Sequence, residues 1–351
     1  MSRRAITLLC SAGLVIVLGL LAAVLPVPYV VLVPGPVTDT LGTLRNTPVV
    51  DVRGATTYPT GGHLYLTTVG VIPGSCSQNP KLEEALRAWF SPHQAVEPKQ
   101  AICPPGQSSA AVAAQNADEM TQSQQDAVTA ALLYLHYKPA SQQIVVGQVG
   151  DGTPASTVLR TGDAILAIDG TAVTGLTQLH KLIGQHPVGT TLTLTLDRHG
   201  QHLDVKARTA GEAGTGRPIL GFDPDLRATF KTPDVRIGID PNSVGGPSAG
   251  LAFTLGIIDK LTPGDLTGGR TVAGTGTIDG FGTVGPIGGI QQKIAAASKA
   301  GATVFLAPAS ECADARQAAP KSLTLVKVDT LATAVKALQS ISAGRSDFPR
   351  C

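Results

Sequence analysis

The pattern of hydrophobic and polar positions begins with a long apolar run. Residues 5–25 contain no charged side chain and directly follow Arg3 and Arg4. A run of about 20 apolar residues is long enough to cross a bilayer as a helix, and flanking arginines favour the cytoplasmic side. We therefore expect a single-pass anchor in the cell membrane, with a cytoplasmic N-terminus and the bulk of the chain outside the cytoplasm.

A cleaved signal peptide is the alternative interpretation of this apolar run. The segment Ala22-Ala23-Val24-Leu25-Pro26 is a poor small-x-small cleavage site, which favours a retained anchor. Both interpretations place residues 30–351 outside the cytoplasm.

The segment between the anchor and residue 140 mixes strand-like and helix-like patterns. Residues 26–42 are rich in Pro and Val, which predicts an extended conformation. Runs of β-branched and aromatic residues predict strands, and apolar positions at helical spacing predict helices. These patterns place strands at 49–52 and 63–71, and helices at 81–90 and 123–137.

Residues 142–209 have a different texture, with short strands, tight turns and one helix. Alternating and apolar runs bounded by Gly and Asp turns are typical of a small β-rich domain. We predict strands at 144–149, 164–168 and 190–196, and a helix at 176–183.

Residues 230–345 alternate between strand-like and helix-like segments, as an α/β unit should. Strands are predicted at 236–239, 270–278, 303–307 and 323–328. Helices are predicted at 248–260, 288–300, 311–317 and 331–340.

Composition excludes several classes of function. The chain has 351 residues, 43% of them hydrophobic, which suits two folded units plus an anchor. Its net charge is +2 and no basic run interleaves with aromatics, so we expect no nucleic-acid partner. The sequence contains no GxxxxGK[ST] motif and no CxxC or His-rich cluster. We therefore expect no ATP site, no metal and no cofactor.

Four cysteines lie beyond the apolar run, in a compartment where disulfides persist. Four cysteines allow three connectivities, and proximity in sequence favours pairing Cys76 with Cys103 and Cys312 with Cys351. Four unpaired thiols are the alternative.

A glycine-rich segment, Gly245-Gly246-Pro247-Ser248-Ala249-Gly250, opens one of the predicted helices. Unpaired N–H groups at a helix N-terminus can stabilise an oxyanion. A serine there suits a nucleophile, and the glycines allow close approach of a substrate backbone. The alternative is that Ser248 only caps the helix.

A serine nucleophile needs a base, and all seven histidines precede residue 203. Lysine can replace histidine if burial lowers its pKa. In the predicted helix 288–300, Lys293 shares the apolar stripe with Ile290, Ile294 and Ala297, whereas Lys299 points outward. The alternative is a lysine that extends to solvent from the edge of the stripe.

The two segments together resemble the proteolytic domain of the Lon family of Ser-Lys peptidases. The resemblance rests on GGPSAG at 245–250, VAGTGTI at 272–278 and PIGGIQQK at 286–293. It implies that Ser248 is the nucleophile, Lys293 the general base and Thr275 a hydroxyl that orients the lysine. Gly245, Gly246, Pro247 and Ala249 would form the oxyanion and substrate loop.

One residue departs from the usual Lon pattern and indicates which branch of the family the chain resembles. Lon proteins often carry an acidic residue at the position of Gly245. In this respect the chain resembles the smaller, ATP-independent, PDZ-containing membrane branch of the Lon family. Its segments PYVVLVPGPVTDTLG and GGHLYLTTV also resemble that branch.

The β-rich region resembles a PDZ domain through Pro154-Ala155 and the run RTGDAILAIDGTAV at 160–173. PDZ domains bind a peptide as an added strand and hold its carboxylate in a loop. The segment before the first predicted strand, residues 140–143, lacks the usual Gly-aromatic character. We therefore expect strand addition but not capture of a terminal carboxylate; a purely structural domain is the alternative.

The resemblance also implies that the PDZ-like module is inserted in the protease domain, because residues 63–71 and 120–137 look like early Lon elements. We expect an α/β (α+β) Lon-type proteolytic domain with an inserted β-rich PDZ-like domain and one transmembrane helix. The predicted parts are 1–28, cytoplasmic tip and anchor; 29–140, N-terminal protease part with a Cys-containing insertion; 141–211, PDZ-like domain; and 212–351, catalytic part.

The predicted function is an ATP-independent, membrane-anchored serine endopeptidase that acts on protein or peptide substrates, with binding assisted by the PDZ-like module. A non-catalytic PDZ adaptor on a protease-like scaffold, and an amidase or esterase with the same dyad, are the alternatives. Lon domains can form rings, so the resemblance also leaves a homo-oligomer open.

Overall fold

The computed structural model describes residues 3–150 and 152–351. Eight α-helices lie in this part of the chain, together with short 3-10 turns at Lys99–Ala101, Pro154–Thr157 and Ala309–Glu311. The helices are α1 Arg3–Val24, α2 Leu82–Trp89, α3 Ser109–Tyr134, α4 Leu176–Gly184, α5 Gly250–Leu261, α6 Ile290–Lys299, α7 Cys312–Ala318 and α8 Leu331–Ser342.

The strands of the described residues are numbered in chain order. They are β1 Tyr29–Asp39, β2 Thr43–Leu44, β3 Thr47–Pro48, β4 Val50–Arg53, β5 His63–Ile72, β6 Ala95–Pro98, β7 Ser141–Val149, β8 Ala164–Ile168, β9 Thr171–Ala172, β10 Thr191–Arg198, β11 Gln201–Arg208, β12 Ala210–Gly211, β13 Pro218–Ile219, β14 Phe222–Thr229, β15 Asp234–Ile237, β16 Thr271–Gly274, β17 Thr277–Ile278, β18 Val284–Gly285, β19 Val304–Pro308 and β20 Thr324–Val328.

Helix α1 is the one helix in the described part of the chain that is long and apolar enough to cross a membrane. Its 22 residues span about 33 Å, against a hydrocarbon core of about 30 Å. None of its residues is buried against the rest of the protein. The helix fits the predicted span, although a signal sequence near the N-terminus would satisfy the same criterion.

The larger sheet has the strand order β20-β19-β16-β5-β1-β6. Strands β20, β19, β16 and β5 run parallel, and β1 pairs antiparallel with both β5 and β6. Strands from before residue 100 and after residue 270 therefore share one sheet. The mixed α/β fold class predicted from sequence is confirmed.

The buried core of this region joins β5, β16, β19 and β20 to helices α3, α5 and α8. Helix α3 begins at Ser109, 14 residues before its predicted start at 123, with the Ser108 hydroxyl accepting a hydrogen bond from the N–H of Ala111. The early turns are rich in alanine and largely exposed. These turns therefore lack the apolar stripe from which a helix is predicted. They are helical because alanine has a high helix propensity and Ser108 caps the N-terminus.

The second sheet has the order β11-β10-β8-β7-β14, with β9 paired to β8. It encloses its own apolar cluster, to which helix α4 contributes Leu179, Leu182 and Ile183. Strand β14 pairs along most of its length with β7. The predicted boundary at residue 211 therefore precedes the last strand of this sheet. A local sequence pattern does not reveal this strand as part of the sheet, because some 70 residues separate it from its partner β7.

One further segment differs from its prediction, and the two predicted disulfides are confirmed. The strand predicted at 270–278 is divided into β16 and β17 by Thr275 and Gly276. Both predicted disulfides are present, with Cα separations of 5.6 Å for Cys76–Cys103 and 5.0 Å for Cys312–Cys351. The second bond fastens the C-terminal residue to the start of α7.

Candidate active site

The loop that carries Ser248 leads directly into α5. The helix itself starts at Gly250, two residues later than predicted, and Ser248 is half-buried in the turn before it. The N–H of Leu251 donates to the carbonyl oxygen of Gly276. Within the described residues, the N–H groups of Ser248, Ala249 and Gly250 donate no hydrogen bond. These amides are therefore available to an oxyanion.

The serine loop is held in place by α3. The N–H of Gly246 donates to the carbonyl oxygen of Asn116 at 2.8 Å, and the Ser123 hydroxyl donates to the carbonyl oxygen of Pro247 at 2.9 Å. A Cβ added to Gly245 would lie 2.6 Å from the Asn116 Cβ, a distance that real side chains do not tolerate. Glycine at 245 thus permits the loop to pack against the helix. Nothing in the sequence singled out Asn116 or Ser123.

Lys293 lies in the second turn of α6 and is only 3% exposed, as its place in the apolar stripe predicted. Burial lowers the pKa of Lys293 to about 8, and attraction to Glu311 offsets part of that decrease. Burial in an apolar environment disfavours the charged ammonium form. Much of the amine is therefore neutral slightly above neutral pH.

A hydroxyl connects this lysine to the serine loop. Lys293 Nζ donates to Thr275 Oγ1 at 3.1 Å, and the Thr275 hydroxyl donates to the carbonyl oxygen of Ser248 at 3.2 Å. A neutral amine that donates one N–H to Thr275 keeps its lone pair for another proton. Ser248 and Lys293 line the same cleft, of about 740 Å³. Among the hydrogen bonds of the described residues, none joins the Ser248 hydroxyl to this amine.

The cleft has walls from several parts of the chain. Strand β5 contributes Thr67 to Val69 and Val71, and the start of α6 approaches so closely that a Cβ on Gly289 would lie 2.6 Å from Val69 Cγ2. Strand β16 pairs only with His63–Leu66 of β5. The remaining part of β5 is paired on one side, with β1, and its other edge is available to an added strand.

A side cavity of about 330 Å³ adjoins the cleft, because Glu119, Gln148, Pro247, Thr277 and Pro286 line both. Gln148 belongs to β7 of the smaller sheet, so that sheet forms part of the cleft wall.

Two buried carboxyl groups, Asp126 of α3 and Asp225 of β14, lie in this side cavity. Burial and the neighbouring Asp225 raise the pKa of Asp126 to about 9. Burial also raises the pKa of Asp225, whose Oδ1 accepts hydrogen bonds from the N–H groups of Leu226 and Gly280. The pair links α3, the smaller sheet and the loop before β18.

The smaller sheet has a groove beside one of its edges. Residues 141–143 belong to β7, which is an internal strand flanked by β8 and β14. The two edge strands are β11 and β14, and β14 begins within Leu220-Gly221-Phe222. A cavity of about 410 Å³ lies between this segment and α4, lined by apolar residues of both. The Gly-aromatic sequence that residues 140–143 lack is thus present as Gly221-Phe222, where β14 begins.

No group of three or more His, Cys, Asp or Glu residues in the described part of the chain has an arrangement that would hold a metal ion.

Comparison with known families finds two matches along the chain. Residues 223–340 match the C-terminal proteolytic domain of Lon protease (S16), and residues 121–209 match a PDZ domain. The chain therefore carries a Lon-type proteolytic domain together with a PDZ domain.

Individual relatives match parts of the chain. Lon protease of Phenylobacterium zucineum (strain HLK1) is 37% identical over 144 residues, which cover 39% of this chain and 18% of that protein. Serine protease Do-like HtrA of Lactobacillus helveticus is 33% identical over 61 residues, covering 17% of this chain and 15% of that protein. The matched region is thus less than a fifth of the length of either relative.

Among solved structures, the PDZ domain of an SdrC-like protein from Listeria monocytogenes has 25% sequence identity and a TM-score of 0.24. It covers 25% of this chain and 92% of its own.

Proposed function

We propose that this chain is an ATP-independent serine endopeptidase that cleaves extracytoplasmic or membrane proteins. In this proposal α1 is a retained anchor with a cytoplasmic N-terminus. The observation that carries the proposal is Lys293, buried to 3% exposure, with its pKa lowered to about 8 and its amine hydrogen-bonded to Thr275 beside the serine loop. Among the described residues no carboxylate forms an ion pair with Lys293, and a buried lysine without such a pair is costly unless it acts as a base.

In the proposed mechanism, Ser248 Oγ attacks the carbonyl carbon of the peptide bond as its proton passes to Lys293 Nζ. The N–H groups at the start of α5 hold the oxyanion. Lys293 then gives the proton to the leaving amine, which leaves an acyl-enzyme on Ser248. A water molecule, deprotonated by Lys293, hydrolyses the ester and restores the serine. Thr275 is a positioning residue that orients the amine throughout.

The cleft favours an extended peptide as substrate. The unpaired edge of β5 beside Lys293 can accept a strand, which gives main-chain hydrogen bonds independent of side-chain identity. The edge of β14 can hold a second part of the same protein. We propose that the PDZ-like module is inserted in the protease domain, since β5 and β16 flank it in sequence and pair in one sheet.

Hydrolysis by the purified full chain would test the proposal. We expect an unfolded protein substrate to be cleaved without nucleotide, and a serine-reactive phosphonate to label wild type but not Ser248→Ala. Absence of both cleavage and labelling would favour the adaptor, and cleavage of esters alone would favour an esterase. A C-terminal alkaline phosphatase fusion should be active in whole cells, and an inactive fusion would refute the orientation.

A further inference from the structure

Helix α2 presents an apolar face that the rest of the protein leaves uncovered. Leu86, Trp89 and Phe90 have exposed fractions of 46%, 72% and 84%. Their spacing of three and four residues puts Leu86 and Trp89 on one side of the helix together with Phe90, the cap residue that follows it. The opposite side packs inward through Ala85 and Ala88, both buried. Trp89 is the single tryptophan of the chain. Adjacent large aromatic side chains are rarely this exposed on the surface of a soluble protein.

This helix is fastened to the end of the proposed membrane anchor. The N–H of Leu82 donates to the carbonyl oxygen of Leu25 at 2.8 Å, and the N–H of Val27 donates to the carbonyl oxygen of Pro80 at 3.0 Å. Pro26 also forms an isolated bridge with Lys81. From Leu82 to Trp89 the helix rises about 10 Å. Trp89 therefore lies about 10 Å along α2 from Leu82, the residue hydrogen-bonded to Leu25.

Two more exposed apolar side chains lie at the same end of the molecule. Tyr29, at the start of β1, is 40% exposed, and Ile72, at the end of β5, is 43% exposed. These strand ends are neighbours, since Val31 pairs with Ile72. The exposed apolar residues around the exit of α1 thus belong to α2, β1 and β5.

We propose that Leu86, Trp89 and Phe90 of α2 lie in the outer lipid interface, as a second attachment that accompanies α1. Aromatic side chains favour the interface between lipid headgroups and acyl chains. The occupant of this face is the lipid surface because α2 is hydrogen-bonded to Leu25, the residue that directly follows α1. The inference rests on the retained anchor proposed above.

This attachment holds the proposed catalytic cleft close to the membrane. Leu32 lines the cleft and lies three residues along β1 from Tyr29, or about 10 Å. Ile102 and Val71, from neighbouring segments, line the same wall. The substrates are therefore segments of other proteins that are presented within a few nanometres of the bilayer surface.

Fluorescence of the single tryptophan tests the location directly. The full chain would be reconstituted in vesicles containing lipids brominated near the top of the acyl chain. We expect the lipids to quench Trp89 and aqueous iodide to have little effect. The reverse pattern in chains that float with the vesicles would overturn the inference while the anchor stands. Chains that do not float would overturn both.

A matched control moves the tryptophan elsewhere. In the double variant Trp89→Phe, Phe281→Trp, the indole lies beside the residues that follow β20. Strand β20 is at the opposite sheet edge from β6, about 24 Å away by strand spacing. Iodide should quench this indole and brominated lipid should not. If Trp89 resists both quenchers and chains cross-link through α2, a second copy covers the face and the inference is wrong.

A functional comparison separates this inference from the catalytic proposal. Trp89→Ser, Phe90→Ser should cleave a soluble peptide at the wild-type rate. It should cleave a peptide tethered to the vesicle by a short linker at least about threefold more slowly, because proximity is lost. Equal rates on the tethered peptide would contradict the inference. If wild type cleaves neither peptide, the catalytic proposal fails and the fluorescence result still decides the location of α2.

Discussion

Lys293 and Thr275 are joined by a 3.1 Å hydrogen bond, in which the lysine amine donates to the threonine hydroxyl. The same hydroxyl donates to the carbonyl oxygen of Ser248. The Thr275 side chain, between β16 and β17, therefore connects the start of α6 to the loop before α5 by hydrogen bonds. The proposed chemistry depends on this connection between Lys293, Thr275 and the serine loop.

Lys293→Arg should abolish proteolysis, because a guanidinium stays charged and cannot accept the serine proton. In wild type, activity should rise with pH with a midpoint near 8, since the lysine pKa lies at about 8 and only the neutral amine is a base. Lys299→Arg, an exposed position on the same helix, should behave as wild type. Near-normal proteolysis by Lys293→Arg on purified material would remove the proposed base.

Thr275→Ala should weaken turnover without eliminating it. The loss of one hydrogen bond to the amine corresponds to about 1 kcal/mol, or roughly a fivefold decrease in kcat. KM should change little, because the hydroxyl contacts the base and not the substrate. Thr275→Ser, which keeps the hydroxyl, should restore most of the activity. Equal defects in the Ala and Ser variants would show that packing, not the hydroxyl, is the contribution of Thr275.

Gly245→Ala should reduce activity through the serine loop. The added Cβ would lie 2.6 Å from the Asn116 Cβ, so the loop must move away from α3. Misplacement of a nucleophile by about 1 Å can cost a hundredfold in rate. Gly175→Ala, at which an added Cβ meets nothing within 4 Å, is the control for the substitution. Circular dichroism should show both variants folded; unchanged activity in Gly245→Ala would contradict the proposed role of the α3 contact.

Asp126→Asn should reduce the pH dependence of stability. In the folded state the pKa of Asp126 is raised to about 9, so the folded carboxyl stays neutral while the unfolded one ionises above its ordinary value of 3.8. The stability contributed by the neutral form is complete below pH 3.8 and is lost as pH rises towards 9. Asparagine does not ionise, so its variant should lose less of its melting temperature between pH 5 and 9.

The control for this pH measurement is Asp223→Asn, at an exposed carboxylate that lines the same cavity. Its melting temperature should follow wild type across the pH range. Parallel curves for wild type and Asp126→Asn would show that Asp126 is ionised in the folded protein.

Periodicity predicted several elements well because their packing is amphipathic. The spacing of Ile290, Lys293, Ile294 and Ala297 predicted a buried lysine on α6, and all four side chains are buried. The N-terminal turns of α3 were missed since their alanine-rich face is exposed and carries no stripe. Local sequence thus predicted the elements whose burial follows a repeating pattern.

The last strand of the smaller sheet was not predicted from the sequence. Residues 141–143 belong to the internal strand β7, and the edge strand β14 comes from residues 222–229. Strand order is set by pairings between distant segments, which a local pattern does not reveal. The contacts of Asn116 and Ser123 with the serine loop likewise join residues more than 120 positions apart.

By itself the sequence determined the apolar span, the α/β alternation and the motifs that contain Ser248 and Lys293, because each is encoded in neighbouring residues. It favoured the two disulfide pairings without deciding them. Only the tertiary structure decided that α3 supports the serine loop, that Thr275 lies between the base and that loop, and that β14 closes the smaller sheet. These arrangements depend on burial and hydrogen bonding between segments far apart in the chain, and such contacts exist only after the chain has folded.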